Sequence, residues 1–160
     1  MTDRFADHFS LVSANYARFR PTYPAALFVW LAEKAPSRDL AWDCATGSGQ
    51  ASRDLAAHFK RIVATDASSA QIAAATAHPR VEYRVAPAEA SGLPDAAVDL
   101  IAVAQALHWF DLNRFYAEAR RVLKPGGILA VWCYGALSVE GETVNARAEA
   151  FYRDTVGPYW

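Results

Sequence analysis

Two acids and two glycines in the first half of the chain have a spacing that could build a ligand site. In the segment WDCATGSGQAS (42–52), Asp43 lies four residues before the first of two glycines, Gly47 and Gly49. A second acid, Asp66, ends the apolar run RIVATD. Glycines in a turn between a strand and a helix let the backbone approach a ligand closely, and the following helix points free N–H groups at the same place. The spacing predicts a ligand-binding turn with a carboxylate on either side.

Two classes of ligand are open at this turn. A dinucleotide site uses the pattern GxGxxG, but here Ser52 occupies the third glycine position and Ala45 stands where the preceding glycine of the run would be. A diphosphate beside Asp43 would bring two anions together in a poorly screened pocket. The residues favour a ligand with positive charge in place of phosphates, while a nicotinamide cofactor is the alternative. Asp43 itself could meet that positive charge or brace the loop amides.

Composition restricts the function classes. The 160 residues are 53% hydrophobic and 21% charged, which is enough for one folded domain with a core. The net charge of −1 argues against electrostatic binding to nucleic acid or to an anionic membrane. No apolar run reaches the length of a membrane span, and the first residues do not resemble a signal peptide. A cytoplasmic protein is expected, with Cys44 and Cys133 as buried free thiols.

Strand-like and helix-like segments alternate along most of the chain. Strands are predicted at 40–45, 61–66, 80–86, 98–106 and 128–135, and helices at 24–35, 50–59, 68–77, 111–123 and 142–156. The helix predicted at 68–77 begins with two serines, so a serine is available to cap it. The alternation predicts an α/β fold with a mostly parallel, doubly wound, Rossmann-like sheet in a three-layer α/β/α arrangement. Ligands of such sheets bind beyond the carboxyl ends of the strands.

Several segments together resemble one enzyme family. WDCATGSGQAS resembles the first motif of class I S-adenosylmethionine-dependent methyltransferases, a strand ending in an acid and then GxGxG, with Ala45 in the first glycine position. The stretch APAEASGLPDAAVDLIAVAQALHWFD resembles the adenine-binding loop and fourth strand of the methyltransferase type 11 group. RVLKPGGILAV resembles its connection into strand five, and NYARFRPTYP its opening segment. The similarity covers residues 10–135 and implies S-adenosylmethionine as cofactor, with S-adenosylhomocysteine as product.

The resemblance also implies a set of cofactor-binding residues. Asp66 would accept hydrogen bonds from both ribose hydroxyls. Arg20 would pair with the methionine carboxylate and Tyr16 would lie beside the sulfonium, as parts of a lid, although both could instead pack an amphipathic helix. Trp109 would face the sulfonium or the adenine, or fill a hydrophobic corner. The complete predicted set is Tyr16, Arg20, Asp43, Ala45, Thr46, Gly47, Gly49, Asp66, Ala67, Ala88, Glu89, Gln105 and Trp109.

The expected reaction is in-line transfer of a methyl group to a small-molecule acceptor, with no metal site. A carboxylate acceptor needs no base, whereas a hydroxyl or an amine would need one, and His108 is the candidate. His108 could equally have a structural role or orient another residue of the site. The charged segment AEARRV (117–122) is predicted to be an exposed helical face.

Two alternative functions and a division into regions complete the sequence-based expectations. The alternatives are a nicotinamide-dependent oxidoreductase-like domain and a non-catalytic cofactor-binding fragment. Residues 1–38 are predicted to form an N-terminal helical lid, 39–135 the Rossmann-like core, and 136–160 the start of a C-terminal region. The antiparallel C-terminal hairpin of class I methyltransferases has no counterpart in the sequence, which would leave strand five as an apolar edge. The oligomeric state is left open.

Overall fold

The computed structural model describes residues 22–135 and 140–157. Within these ranges, five strands and five main helices follow one another in the predicted order. Their bounds are α1 Ala25–Lys34, β1 Leu40–Cys44, α2 Gln50–Leu55, β2 Arg61–Asp66, α3 Ser69–Ala74, β3 Val81–Val85, β4 Val98–Ala104, a 3₁₀ turn Leu107–Trp109, α4 Leu112–Val122, β5 Leu123–Trp132, and α5 Glu142–Ala150 with the helical continuation Phe151–Val156.

The five strands form one sheet in the order β3-β2-β1-β4-β5, and each of these strands pairs with its neighbours in parallel. The chain builds outward from β1 in one direction through β2 and β3, then returns to place β4 and β5 on the other side. Strand order therefore reverses at the carboxyl ends of β1 and β4, which is where this fold class binds its ligands. The predicted Rossmann-like α/β fold is confirmed.

Side chains alternate between the two sheet faces, and each face has its own apolar core. On one face, Ala41 and Leu100 pack with Phe28 of α1 and Leu55 of α2. On the other face, Trp42 and its neighbours pack with α4, a set that comprises Trp42, Val63, Ile101, Val103, Phe115, Ala119 and Val122. Three of these α4 residues recur at helical spacing, so one stripe of the helix is buried. The two cores hold the sheet rigid between helices, and its carboxyl edge carries the site.

Two helices are shorter than predicted. Helix α2 ends at Leu55 instead of residue 59, because the amides of His58 and Phe59 both donate to the Leu55 carbonyl and turn the chain. This turn buries Phe59 in the core beneath α1. Helix α3 ends at Ala74, and at its start the Ser68 hydroxyl accepts a hydrogen bond from the Gln71 amide, which confirms the predicted cap.

The β5 strand begins at Leu123, earlier than the predicted range 128–135. The register with β4 shifts after Val98, because the segment Lys124–Gly127 loops out of the ladder. A Cβ atom on Gly127 would lie 2.9 Å from the Lys124 carbonyl oxygen and 3.0 Å from that of Val98. The glycine thus permits a close backbone approach, so KPGG forms an irregularity within the strand and not only a stop after the helix.

Several predictions concern the edges of the molecule. Within the described ranges β5 pairs only with β4 and is an edge strand. Cys44 is buried as predicted, but Cys133 is exposed, because it follows the last residue of this edge strand. Tyr16 and Arg20 lie outside the described residues, and the predicted division into regions stays a prediction. No described helix has both the length and the apolarity to cross a bilayer.

Candidate functional site

Alternate residues of the loop between β1 and α2 have left-handed backbone geometry. Gly47 has φ +57° and Gly49 has φ +85°, and Ala45 also lies at φ +57°. The Thr46 amide donates to the Thr65 carbonyl at 2.9 Å, so the loop starts as a continuation of the β1–β2 ladder. An L-residue in this region costs about 1–2 kcal/mol, so Ala45 adopts a conformation that glycine would adopt without strain. The alanine in the first glycine position has therefore kept the backbone shape of a glycine.

Asp43 lies beneath this loop and is 1% exposed. Its Oδ2 accepts a hydrogen bond from the Thr46 hydroxyl at 2.6 Å and another from the Ser52 hydroxyl. The two hydroxyl oxygens are also 2.9 Å from each other. Asp43 thus braces the loop through these two hydroxyls, and the backbone of Ser52 adds a further hydrogen bond. Ser52, which replaces the third glycine of a dinucleotide motif, is one of the two donors.

Burial raises the pKa of Asp43 from 3.8 to about 6. The hydroxyls of Ser52 and Thr46 oppose this rise, and the negative charge of Asp66 adds to it. At neutral pH the site therefore holds a buried carboxylate near a second acid. A cation bound at this edge of the sheet would stabilise both charges, whereas a diphosphate would increase the repulsion.

Asp66 joins three segments at the carboxyl end of β2. Its Oδ2 accepts a hydrogen bond from the Gly47 amide at 2.9 Å, and its Oδ1 accepts one from the Ser68 amide at 2.9 Å. The Asp66 carbonyl accepts a third from the Ala86 amide at 3.0 Å, which brings the loop after β3 beside it. Ala67, between Asp66 and Ser68, is exposed at this edge. Two acids 23 residues apart in the sequence thus meet the same glycine loop.

Gly49 has a packing role that the sequence did not reveal. A Cβ atom at this position would overlap the Tyr83 hydroxyl oxygen and would lie 2.9 Å from the tyrosine ring. Tyr83 reaches the loop because Ala64 pairs with both Asp43 and Tyr83, which places these two residues one strand apart on either side of it. Gly49 is therefore required by its positive φ and by the tyrosine ring. A larger residue at position 49 would disturb the loop whether or not a ligand lies above it.

The loop after β3 is anchored to α4 by two acids. Ala88 is buried in the α4-side core, and Glu89 accepts a hydrogen bond from the Asp111 amide at 2.9 Å. Glu118 accepts from the amide and the hydroxyl of Ser91 and pairs with Arg121. The prediction that AEARRV is an exposed charged face is wrong for Glu118, which is buried because it holds this loop. Arg121 in particular keeps the pKa of Glu118 low, at about 2.

The end of β4 contributes a strained residue and two exposed rings. Gln105 lies at φ +59°, and its backbone amide donates to the Trp132 carbonyl at 3.0 Å. His108 and Trp109 follow in the 3₁₀ turn; both are exposed, and their ring centroids are 4.8 Å apart. The turn lies at the sheet edge that carries the glycine loop, since Ala106 and Ala45 pack in the same core cluster. Strained non-glycine residues concentrate at ligand sites, so the backbone of Gln105 supports a ligand site at this edge of the sheet.

Three buried side-chain atoms of the described residues have no hydrogen-bond partner: Tyr83 Oη, Gln105 Nε2 and Trp132 Nε1. Leaving such a group unpaired costs about 1–3 kcal/mol, so each case calls for an explanation. Gln105 directly follows β4 and Trp132 ends β5, so two of the three are N–H donors at the carboxyl edge. This is the edge at which a ligand could pair with them.

A narrow recess opens between the glycine loop and the ends of β1 and β4. Tyr23 forms one wall, and its ring packs edge-to-face on Trp132 with centroids 5.5 Å apart. The lining residues are Tyr23, Asp43, Ala45, Thr46, Gln50, Ala51 and Ala104. The recess combines an acid, a hydroxyl and small apolar side chains at the carboxyl edge of the sheet.

The structure gathers most predicted site residues at this edge. Asp43, Ala45, Thr46, Gly47 and Gly49 form the loop and its support, and Asp66 is bonded to it. Sequence reasoning missed Tyr23, Ser52, Tyr83 and Trp132. Ser52 alone had a signal, a hydroxyl residue in place of a motif glycine; the others come together only through strand pairing. No trio of His, Cys, Asp or Glu side chains suited to a metal ion is found in residues 22–135 and 140–157.

Comparison with known proteins gives concordant results. The profile of the methyltransferase domain family, type 11, matches residues 42–131. A protein described as a methyltransferase in Dictyostelium discoideum is 41% identical over 98% of this chain, and a Saccharomyces cerevisiae protein described as an S-adenosylmethionine-dependent methyltransferase is 30% identical over 76%. A solved structure of a protein described as a type II methyltransferase from Anaeromyxobacter dehalogenans shares 52% identity over 89% of this chain, with a TM-score of 0.79.

These relatives are longer than the chain. It spans 61% of the Dictyostelium protein, 45% of the yeast protein and 60% of the Anaeromyxobacter chain. The family match nevertheless contains the glycine loop and strands β2, β3 and β4 in full, together with most of β1 and β5. The chain belongs to the type 11 methyltransferase domain family, within the class I S-adenosylmethionine-dependent methyltransferases.

Proposed function

We propose that this chain binds S-adenosylmethionine at the carboxyl edge of its sheet and supports methyl transfer to a small-molecule acceptor. The observation that carries the proposal is the hydrogen bond from the Gly47 amide to Asp66 Oδ2 at 2.9 Å. It joins the glycine loop to the acid that the family resemblance assigns to ribose. A nucleoside lying across the ends of β1 and β2 would meet both features at once.

The hydrogen-bonding and charged groups at this edge of the sheet fit this cofactor. A carboxylate oxygen can accept two hydrogen bonds, so an oxygen that holds a loop amide can also accept from a ribose hydroxyl. Asp43 is buried under the loop and would act on a sulfonium or an ammonium through its charge, without direct contact. Among the described residues, no basic side chain lines the recess beside the loop, which argues against a diphosphate at that position. The yeast relative described as S-adenosylmethionine-dependent is consistent with this choice.

The remaining predicted residues would complete the cofactor site. The loop that contains Ala88 and Glu89 is tied to Asp66 through the Ala86 amide, so it would border the adenine. Gln105 would turn its buried, unpaired amide nitrogen toward the ligand. Trp109, which is 45% exposed, would be covered by the cofactor or by the acceptor. Ala67 would border the ribose, and Tyr16 and Arg20 keep their predicted lid role.

The chain's own residues would act mainly by positioning. S-adenosylmethionine, when bound, would supply a methyl group already activated by the sulfonium charge. The glycine loop and Asp66 would hold the nucleoside, and the aromatic wall of Tyr23 and Trp132 would limit access of water. Holding two reactants in line lowers a barrier by about 7–11 kcal/mol in favourable cases. A carboxylate acceptor would need no base, and for a hydroxyl or amine acceptor His108 would take the proton.

The contact between Asp66 and ribose can be tested with matched ligands. Isothermal titration would compare S-adenosylhomocysteine with its 2′-deoxy analogue on the wild type and on Asp66→Asn. We expect the wild type to lose about 1.5–3 kcal/mol of binding free energy with the deoxy ligand, while the variant hardly distinguishes the two. Equal discrimination by both proteins would refute the contact. NADH binding without S-adenosylhomocysteine binding would replace the proposal by the nicotinamide alternative.

A further inference from the structure

The opposite edge of the sheet carries a cluster of cations. Arg38 lies two residues before β1, Lys60 directly precedes β2, and Arg80 directly precedes β3. These three strands are neighbours in the sheet, so their amino ends lie side by side. The Lys60 amide donates to the Arg38 carbonyl at 2.9 Å, and the Ile62 amide donates to the Arg80 carbonyl at 2.7 Å. We call Arg38, Lys60 and Arg80 the cationic edge.

The cationic edge surrounds a recess of about 430 Å³, which is within the usual size range of small-molecule sites. Ala57, His58 and Phe59 supply the rest of the lining, and none of the described lining residues is acidic. Phe59, one of these lining residues, is buried in the core. Strands of five or six residues separate this recess from the glycine loop by about 15–20 Å. It is therefore a separate place on the molecule.

Both arginines are anchored in a way that leaves most of their donors for a ligand. Arg38 Nε donates to the Ala32 carbonyl at 3.2 Å, and Arg80 Nη1 donates to the Ala56 carbonyl at 3.1 Å. Ala32 is in the last turn of α1 and Ala56 closes α2, and carbonyls at helix carboxyl ends carry partial negative charge. One donor of each guanidinium is used for anchoring. The planar fork of the remaining donors suits a carboxylate or a phosphate.

The charges of the cationic edge are only partly compensated. Lys60 Nζ pairs with Asp39 at 2.7 Å, and this pairing lowers the pKa of Asp39 to about 2. Neither arginine forms an ion pair within the described residues, and both line the same recess. Like charges held close together favour an anion between them.

We infer that the cationic edge is a binding site for a small oxyanion with two or more negative charges, such as a diphosphate or a polycarboxylate. The site is independent of the proposed cofactor site. A single recess with three cations, on a chain of net charge −1, fits a small ligand better than an extended nucleic acid.

Titration with inorganic pyrophosphate, and in parallel with citrate, tests this inference. The proteins are the wild type, Arg38→Gln, Arg80→Gln and the control Arg120→Gln, whose arginine is exposed on α4 across the sheet. We expect the wild type to bind at least one probe, each test variant to weaken that binding about five- to tenfold, and the control to match the wild type. Added salt should weaken binding further.

Amide chemical shifts locate the binding independently of affinity. The probe should shift the amides of residues 38, 58–60 and 80 and leave those of 45–49 and 66 in place. Circular dichroism checks that each variant is folded. If Arg80→Gln does not fold, the affinity of Arg38→Gln for the probe decides the test. Absence of binding at millimolar probe, equal affinity of wild type and test variants, or shifts confined to the glycine loop would each overturn the inference.

Discussion

The buried carboxylate of Asp43 makes a quantitative prediction about stability and pH. Asp43→Asn keeps the shape of the side chain and removes its charge. Burial raises the pKa of Asp43 from 3.8 to about 6, and hydroxyls of Ser52 and Thr46 oppose that rise. Between these two pH values the folded protein retains a proton that the unfolded chain has lost. The contribution of Asp43 to stability therefore decreases as the pH rises through this window, and it is constant above it.

The size of the effect follows from the two pKa values. A pKa raised from 3.8 to about 6 corresponds to about 3 kcal/mol of unfavourable free energy for the ionised, buried group. Between pH 4 and pH 7, about 2 kcal/mol of this should be lost. Asp39 and Glu118 have lowered pKa values and change stability in the opposite direction. The informative quantity is therefore the wild-type stability minus that of Asp43→Asn, from which the other groups cancel.

Chemical denaturation at several pH values between 4 and 7 measures this difference. We expect wild-type stability relative to the variant to fall by about 2 kcal/mol across the range. Loss or gain of a hydrogen bond in the variant would add an offset that is the same at every pH, so it does not affect the slope. Glu33→Gln, which changes an exposed acid on α1, should run parallel to the wild type. A pH-independent difference between the wild type and Asp43→Asn would refute the buried-charge account.

Two further predictions concern the backbone of the loop. Ala45→Gly should leave the free energy of unfolding unchanged or raise it by up to about 1 kcal/mol in thermal or chemical denaturation. The reason is that relief of backbone strain at φ +57° offsets the entropy of a glycine in the unfolded chain. A loss of stability above about 1 kcal/mol would show that Ala45 is not strained. Gly49→Ala should destabilise more than the control Gly92→Ala in the same assay, since both glycines have positive φ but only the new methyl at position 49 meets Tyr83; equal losses would show that the tyrosine contact does not limit position 49.

Local sequence patterns predict the order and type of the helices and strands of this fold. Apolar runs that contain Asp43 and end at Asp66 predicted β1 and β2 close to their observed bounds. Strand β5 was placed too late and α2 too long, because the loop-out after Leu123 and the burial of Phe59 depend on β4 and α1. Local propensity cannot report a register shift or a turn that distant packing imposes.

The candidate site likewise combines features that the sequence predicts with features that only the fold creates. The sequence by itself determined the glycine turn, its two acids and the family, because these residues are close in the chain and their types are specific. Only the tertiary structure decided that Ser52 donates to Asp43, that Tyr83 occupies the space beside Gly49, and that three strand starts unite Arg38, Lys60 and Arg80. The physical reason is that parallel pairing brings residues tens of positions apart to one edge, and the linear sequence does not record the register of that pairing.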